Sequence, residues 1–129
     1  MSSSIFLTGY EQLKKTLENY GKDKRVFVLF SGAKDSQGHS WCPDCVLAEK
    51  PVEETVKSSL PSNGIFIECS VGDRARFVFS WKDPNSRFRT DSKLRLTNIP
   101  TLIEWETTKR LTESQLLDTE MIKILFEED

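Results

Sequence analysis

Two cysteines in a C-x-x-C spacing, Cys42 and Cys45, stand between a continuous apolar run and a helical pattern, and this feature restricts the fold more than any other. Arg25-Val26-Phe27-Val28-Leu29-Phe30 is apolar from Val26 onward, the pattern of a strand buried on both faces. Ser31 to Ser40 is rich in Gly, Ser, Lys and Asp and reads as a loop. A helix is expected to start near Cys42, because Pro43 suits a first turn in which a missing N–H costs nothing. A cysteine there faces unpaired backbone N–H groups and the positive end of the helix dipole, and both favour thiolate over thiol. Cys45 lies nearly one turn further along the same face, within reach for a short disulfide. The expected chemistry is thiol–disulfide exchange: Cys42 attacks a disulfide and Cys45 resolves the mixed disulfide. Asp44 suits the helix dipole, but its charge beside a thiolate makes that thiolate costlier.

The rest of the chain alternates strand and helix signals. Ile5 to Leu7 suits a short strand, and Thr8 with Glu11 has the pattern of a capping box. Leu13, Leu17 and Tyr20 recur at helical spacing up to Gly21. After Cys45 the helix should continue to Pro51, which is expected to kink or restart it, and Val52, Val56 and Leu60 carry a second stripe. Asn63-Gly64 marks a turn and Ile65 to Cys69 a buried strand. Asp83-Pro84 predicts an N-cap and first-turn proline for a short helix through Phe88. Thr101 to Trp105 reads as a strand, with Lys109 to Thr112 as its hairpin partner. Met121, Ile122, Leu125 and Phe126 form the apolar face of a C-terminal helix. This order predicts an α/β sandwich with a central sheet. With 129 residues, no internal repeat and no linker, residues 1–129 read as one domain.

Charge and composition exclude several functions. A net charge of −2 gives no global case for nucleic acid or an anionic membrane. No apolar run is long enough to span a bilayer, and the N-terminus lacks a signal-peptide pattern. Three cysteines, an odd count, argue against a structural disulfide framework. The competing use of C-x-x-C is half of a zinc site, for which the remaining candidates are Cys69 and His39. Cys69 falls in a buried strand pattern and reads as a small core residue; His39 reads as surface. No metal is therefore expected. Trp41 either shields the thiols or packs, and the sequence does not choose between these. Residues 74–95 carry seven basic side chains (Arg74, Arg76, Lys82, Arg87, Arg89, Lys93, Arg95) against Asp83 and Asp91. Such a run is ordinarily a solvated surface; the sharper reading is a patch selecting acidic or phosphorylated partners.

A wider set of residues carries a family resemblance: Phe30, Ser31-Gly32-Ala33-Lys34-Asp35, Ser40-Trp41-Cys42-Pro43-Asp44-Cys45-Val46, Ala48-Glu49, Trp81-Lys82-Asp83-Pro84-Asn85, Pro100-Thr101-Leu102 and Phe126-Glu127-Glu128-Asp129. Over nearly its whole length the chain resembles the 14 kDa thioredoxin-related proteins of the thioredoxin-like superfamily. The resemblance implies a thioredoxin-like three-layer sandwich, a central mixed β-sheet flanked by helices. It implies a monomeric, cytoplasmic protein-disulfide reductase that takes electrons from thioredoxin reductase, and so uses NADPH indirectly, with no bound cofactor beyond the redox-active Cys42–Cys45 disulfide. Cystine-like small molecules and selected protein disulfides would be its substrates. Cys42 would be the nucleophile and Cys45 the resolving thiol, tuned by Trp41, Pro43 and Asp44. Ile99-Pro100 would be a cis bond in a loop, Ile99 to Thr101, whose backbone pairs with substrate and discourages metal binding. The alternative is a redox-modulated interaction module that docks a signalling or motor protein. Relative to thioredoxin, the loop Ser31 to Ser40 is long enough to narrow access, and Leu29 replaces the buried acid of the preceding strand. Relative to the family, Pro51 stands one position late after Lys50, and Gly72 to Trp81 is longer.

Overall fold

The computed structural model describes residues 3–74 and 80–128. Arg76, Phe77, Val78 and Phe79 of the longer segment, and Asp129 of the C-terminal match, lie outside them.

The apolar run forms the central strand, and its alternation decides the layers. In β2 (Arg25–Ser31), Val26, Val28 and Phe30 point into one buried cluster, while Phe27 and Leu29 point into another. β3 (Gly64–Ser70) pairs with β2 in parallel and divides in the same way, Ile65, Ile67 and Cys69 against Phe66. β1 (Ser3–Thr8) adds in parallel outside β3. β4 (Thr101–Glu104) runs antiparallel on the other side of β2, and β5 (Arg110–Thr112) closes the hairpin. The sheet is therefore mixed, in the order β1-β3-β2-β4-β5.

Helices cover both faces. On one side lie α1 (Tyr10–Leu17), through Leu13 and Leu17, and the four-residue α3 (Arg87–Thr90), through Phe88. On the other lie α2 (Pro43–Ser59), through Ala48, Val52 and Val56, a 3-10 helix (Glu113–Leu117), through Leu116, and α4 (Thr119–Glu127), through Ile122, Leu125 and Phe126. Phe27 meets Phe126 edge-on, ring centroids 4.9 Å apart. Each such fully buried aromatic contributes on the order of 2–3 kcal/mol by removal from water.

Helix boundaries depart from expectation where backbone pairing intervenes. Thr8 does not cap α1: it is still paired to Ser70 in the sheet, and Gly9, at φ 90°, holds the N-cap position. The Thr8 N–H donates instead to Gln12 Oε1 at 2.9 Å. α1 stops at Leu17, short of Gly21, in a turn where Asn19 donates to the Thr16 carbonyl. α2 passes through Pro51 as one helix and does not restart. The missing bond would fall to Leu47, on the exposed side, while Ala48, Val52 and Val56 continue one buried stripe across the proline. Burial along that stripe outweighs the roughly 3 kcal/mol an interior proline costs. Asp83-Pro84 forms a turn before α3, Asp83 Oδ1 accepting from the Asn85 N–H, and Ser86 is the cap, its Oγ accepting from Phe88.

Arg25 ties the far end of the sheet. It donates to both carboxylate oxygens of buried Glu104, at 2.9 and 3.0 Å, and to the Phe126 carbonyl at the end of α4. Burial pushes the Glu104 carboxyl up, but the hydrogen bonds and charge of Arg25, with Lys109, outweigh it and hold the group below its ordinary range.

Candidate active site

α2 begins where β2 has delivered the chain through the Ser31 to Ser40 loop. Cys42 is the N-cap of α2, in extended conformation, and its Sγ accepts the Cys45 backbone N–H at 3.2 Å. Sulfur thus takes the place an oxygen usually holds at an N-cap. The Cys42 N–H donates to Ser40 Oγ at 3.1 Å, and Ser40 Oγ donates to the Gly32 carbonyl at 2.9 Å. The loop is closed on itself by a Lys34–Ser40 bridge and by Asp35, whose Oδ1 accepts from the Gln37 and His39 N–H groups. Those donors, His39 first, hold the Asp35 carboxyl below its usual range.

Both sulfurs are free thiols, and both residues are buried, Cys42 at 6% and Cys45 at 3% exposure. Burial pushes the Cys45 thiol far up, and the Cys42 side chain and the Asp44 charge push it further. Cys45 is therefore protonated at neutral pH. Cys42 does not project from the surface; it lies against an open cleft of about 300 Å3 whose walls include Trp41, Trp81 and Ile99. Trp41 both packs and shields. Its ring lies so close to Gly32 that a Cβ there would stand 2.6 Å from it, its Nε1 donates to the Gly72 carbonyl at 2.8 Å, and it walls the Cys42 cleft.

The Ile99–Pro100 bond is cis, and Ile99 lines the same cleft as Cys42. Thr101, the buried first residue of β4, fixes this loop by donating Oγ1 to the Asn98 carbonyl at 2.8 Å. The Pro100 carbonyl is occupied by the Glu113 N–H at 2.9 Å. Ile99 makes no backbone hydrogen bond among the described residues. Asp44 opens on a second, acidic hollow shared with Glu113 and Leu117.

Cys42, Cys45, Trp41, Pro43, Asp44, Ile99, Pro100 and Thr101 thus cluster at one end of the sheet. Cys69 and His39 are not brought to them as a ligand set. Cys69 is fully buried in β3, its Sγ directed at the Gly9 carbonyl and its thiol pushed up to about 12 by burial; His39 is exposed in the loop. Among the described residues no group of three or more His, Cys, Asp or Glu could hold a metal ion. The basic stretch divides: Arg74, Lys82 and Arg89 line the Cys42 cleft, while Arg87 pairs with Glu11 and Lys93 with Glu106. Sequence reasoning gave no role to Ser40, Gly32 or Gly72. A serine two residues before an N-cap cysteine was a usable signal; the carbonyl of Gly72 and the contact at Gly32 have none, because both depend on a neighbouring strand end.

A C-x-x-C at the start of the helix after the central strand, with a residue preceding a cis proline lining the same cleft, defines a thioredoxin-like domain. The fold matches the crystal structure of the germline-specific thioredoxin Deadhead of Drosophila melanogaster, with a TM-score of 0.50 over 95% of this chain and 92% of that one, at 16% identity. The chain belongs to the thioredoxin domain-containing protein 17-like family, whose thioredoxin-domain model matches residues 6–128. Thioredoxin domain-containing protein 17 of Danio rerio is 41% identical over 97% of this chain and 95% of its own length, and that of Mus musculus 38% over the same shares. The thioredoxin-like protein Clot of Arabidopsis thaliana is 37% identical over 80% of this chain and 72% of its own. No helix among the described residues is long and apolar enough to cross a membrane.

Proposed function

We propose that this chain is a cytoplasmic protein-disulfide reductase acting by dithiol–disulfide exchange through Cys42 and Cys45. The observation that carries the reading is the asymmetry of the two sulfurs. Cys42 Sγ accepts a helix N–H and lines an open cleft, whereas Cys45 is enclosed and protonated. Cys42 is the nucleophile: as thiolate it attacks one sulfur of a substrate disulfide and forms a mixed disulfide, releasing the first thiol. Cys45 then attacks Cys42, gives up its proton to the departing sulfur, and leaves the Cys42–Cys45 disulfide. Burial protects the Cys45 proton until the mixed disulfide is in place, which makes the first attack belong to Cys42.

Trp41, Pro43 and Asp44 tune the site, and Ile99 to Thr101 contact the substrate chain, the free N–H and C=O of Ile99 being the groups available for pairing. The substrates are cystine-like small disulfides and selected protein disulfides. Thioredoxin reductase returns the electrons, drawing on NADPH; the chain itself binds no cofactor or metal and acts as a monomer. The test is NADPH consumption with thioredoxin reductase, offering cystine and insulin. Rapid turnover of cystine and slow turnover of insulin is expected. Cys42→Ser abolishes it, and Cys45→Ser traps mixed disulfides. Turnover that survives Cys42→Ser, or a Cys45→Ser protein that traps nothing, sinks the reading and leaves an interaction module in its place.

A further inference from the structure

Three cations, Arg74, Lys82 and Arg89, line the Cys42 cleft, and among the described residues no carboxylate lines it with them. None of the three is in an ion pair among the described residues. Within the basic stretch Arg87 and Lys93 each find an acid, Glu11 at 3.7 Å and Glu106 at 3.0 Å, whereas Arg95, away from the cleft, is like these three in having no ion pair among the described residues. Arg89 is also held in place. Its guanidinium lies 3.8 Å from the centre of the Trp81 ring, and its Nε donates to the Trp81 carbonyl at 2.8 Å. Its two terminal nitrogens make no hydrogen bond among the described residues and keep the planar fork that grips a carboxylate. The acids of the site, Asp44 and Glu113, open on a different hollow. Among the described residues Cys42 therefore has a cationic wall in its cleft, and the acids open elsewhere.

We propose that this wall selects the substrate: the cleft takes disulfides whose arm carries a carboxylate a few bonds from the attacked sulfur, with Arg89 as the oriented fork and the exposed Arg74 and Lys82 as counter-charges. The proposal rests on the dithiol-exchange reading and narrows it to a substrate class. A cleft of about 300 Å3 is at the lower limit of ligand pockets and accommodates one short arm of a small disulfide. The carboxylate is held on the cationic wall while the sulfur it is attached to meets Cys42. The bonds balance without any further reagent. Cys42 thiolate displaces the first thiolate from the substrate, and Cys45 displaces the second arm from Cys42. The two protein sulfurs lose two electrons in forming their disulfide, and the substrate gains them as two thiols. One thiol takes its proton from Cys45 and the other from water.

The experiment is single turnover with the pre-reduced full chain, so that no reductase enters. Three disulfides of similar length are compared: dithiodipropionate, which is anionic, bis(2-hydroxyethyl) disulfide, which is neutral, and cystamine, which is cationic. Each rate is divided by that of the same disulfide with dithiothreitol, which removes intrinsic reactivity. The expected order is anionic, neutral, cationic. The first should exceed the second by about tenfold at low salt, and the gap should close near 1 M salt, where charges are screened within about 3 Å. Arg74→Gln/Lys82→Gln changes two exposed side chains and should cut the anionic-to-neutral ratio to about threefold or less. Arg89→Lys, which keeps charge but loses the fork, should lower it less. Equal normalised rates for all three disulfides, or a preference untouched by salt and by Arg74→Gln/Lys82→Gln, overturns the proposal while leaving dithiol exchange standing. If none of the three reacts, the exchange reading itself falls and takes the proposal with it.

Discussion

Gly32 follows the central strand directly, and the Trp41 ring is packed onto its backbone. A methyl group at residue 32 would stand 2.6 Å from Trp41 Cε2 and 2.9 Å from both Cζ2 and Nε1. Ordinary carbon–carbon contact is about 3.5–4 Å, so the ring must retreat by roughly 1 Å. It cannot do so and keep the 2.8 Å bond from Nε1 to the Gly72 carbonyl. Gly32→Ala is therefore expected to cost overpacking of about 1–2 kcal/mol plus about 1 kcal/mol for the hydrogen bond, some 2–3 kcal/mol in all. Urea unfolding of the reduced protein reads this directly, provided the slope with denaturant is unchanged. The decisive comparison is a double-mutant cycle with Trp41→Ala. Once the ring is gone the three closest contacts of the added methyl go with it, and Gly32→Ala should then cost less than about 0.5 kcal/mol. A cost equal in both backgrounds would refute the argument, since it would place the penalty in the backbone of residue 32. Because Trp41 also walls the Cys42 cleft, Gly32→Ala should slow mixed-disulfide formation as well.

Three further outcomes follow from charge and burial. Glu104→Gln should destabilise the protein by about 2–3 kcal/mol at pH 7, because it leaves the half-buried Arg25 against a neutral partner. The folded-state carboxyl is held below its ordinary 4.5, so its stabilisation is complete above that value and is lost as pH falls through the lower folded value; the gap between wild type and variant must shrink below pH 4.5, and a constant gap down to pH 3 refutes the assignment. Asp44→Asn removes a negative charge next to Cys42 and should speed its alkylation by iodoacetamide at neutral pH about threefold; an equal or slower rate counts against the assigned role. Cys69, fully enclosed and with its thiol pushed up to about 12, should stay unlabelled in the native protein at pH 8 and become labelled in urea, as mass spectrometry of the labelled peptides will report.

How much was legible in the sequence varies with the range of the interaction. Hydrophobic alternation and spacing are properties of neighbouring residues, and they placed β2, β3, β4, β5, α2 and α4 close to where they lie. The 3-10 helix at Glu113–Leu117 and the true caps of α1 and α3 were not legible. They depend on which backbone groups the sheet has already used: Thr8 is still paired with Ser70, and Glu113 donates to the Pro100 carbonyl. The candidate site divides in the same way. The C-x-x-C and its neighbouring helix start were readable, because Cys42 and Cys45 are linked by a single turn.

The sequence by itself determined the two sulfurs, the strand that precedes them and the helix they begin, since each is set within a few residues along the chain. Only the tertiary structure decided which cations share the cleft with Cys42. Arg74, Lys82, Arg87, Arg89 and Lys93 look alike in one basic run, but packing sends Arg87 and Lys93 to acids elsewhere and leaves the other three lining the cleft of Cys42. Charge along a chain gives a sum, and a binding surface depends on where each charge is held.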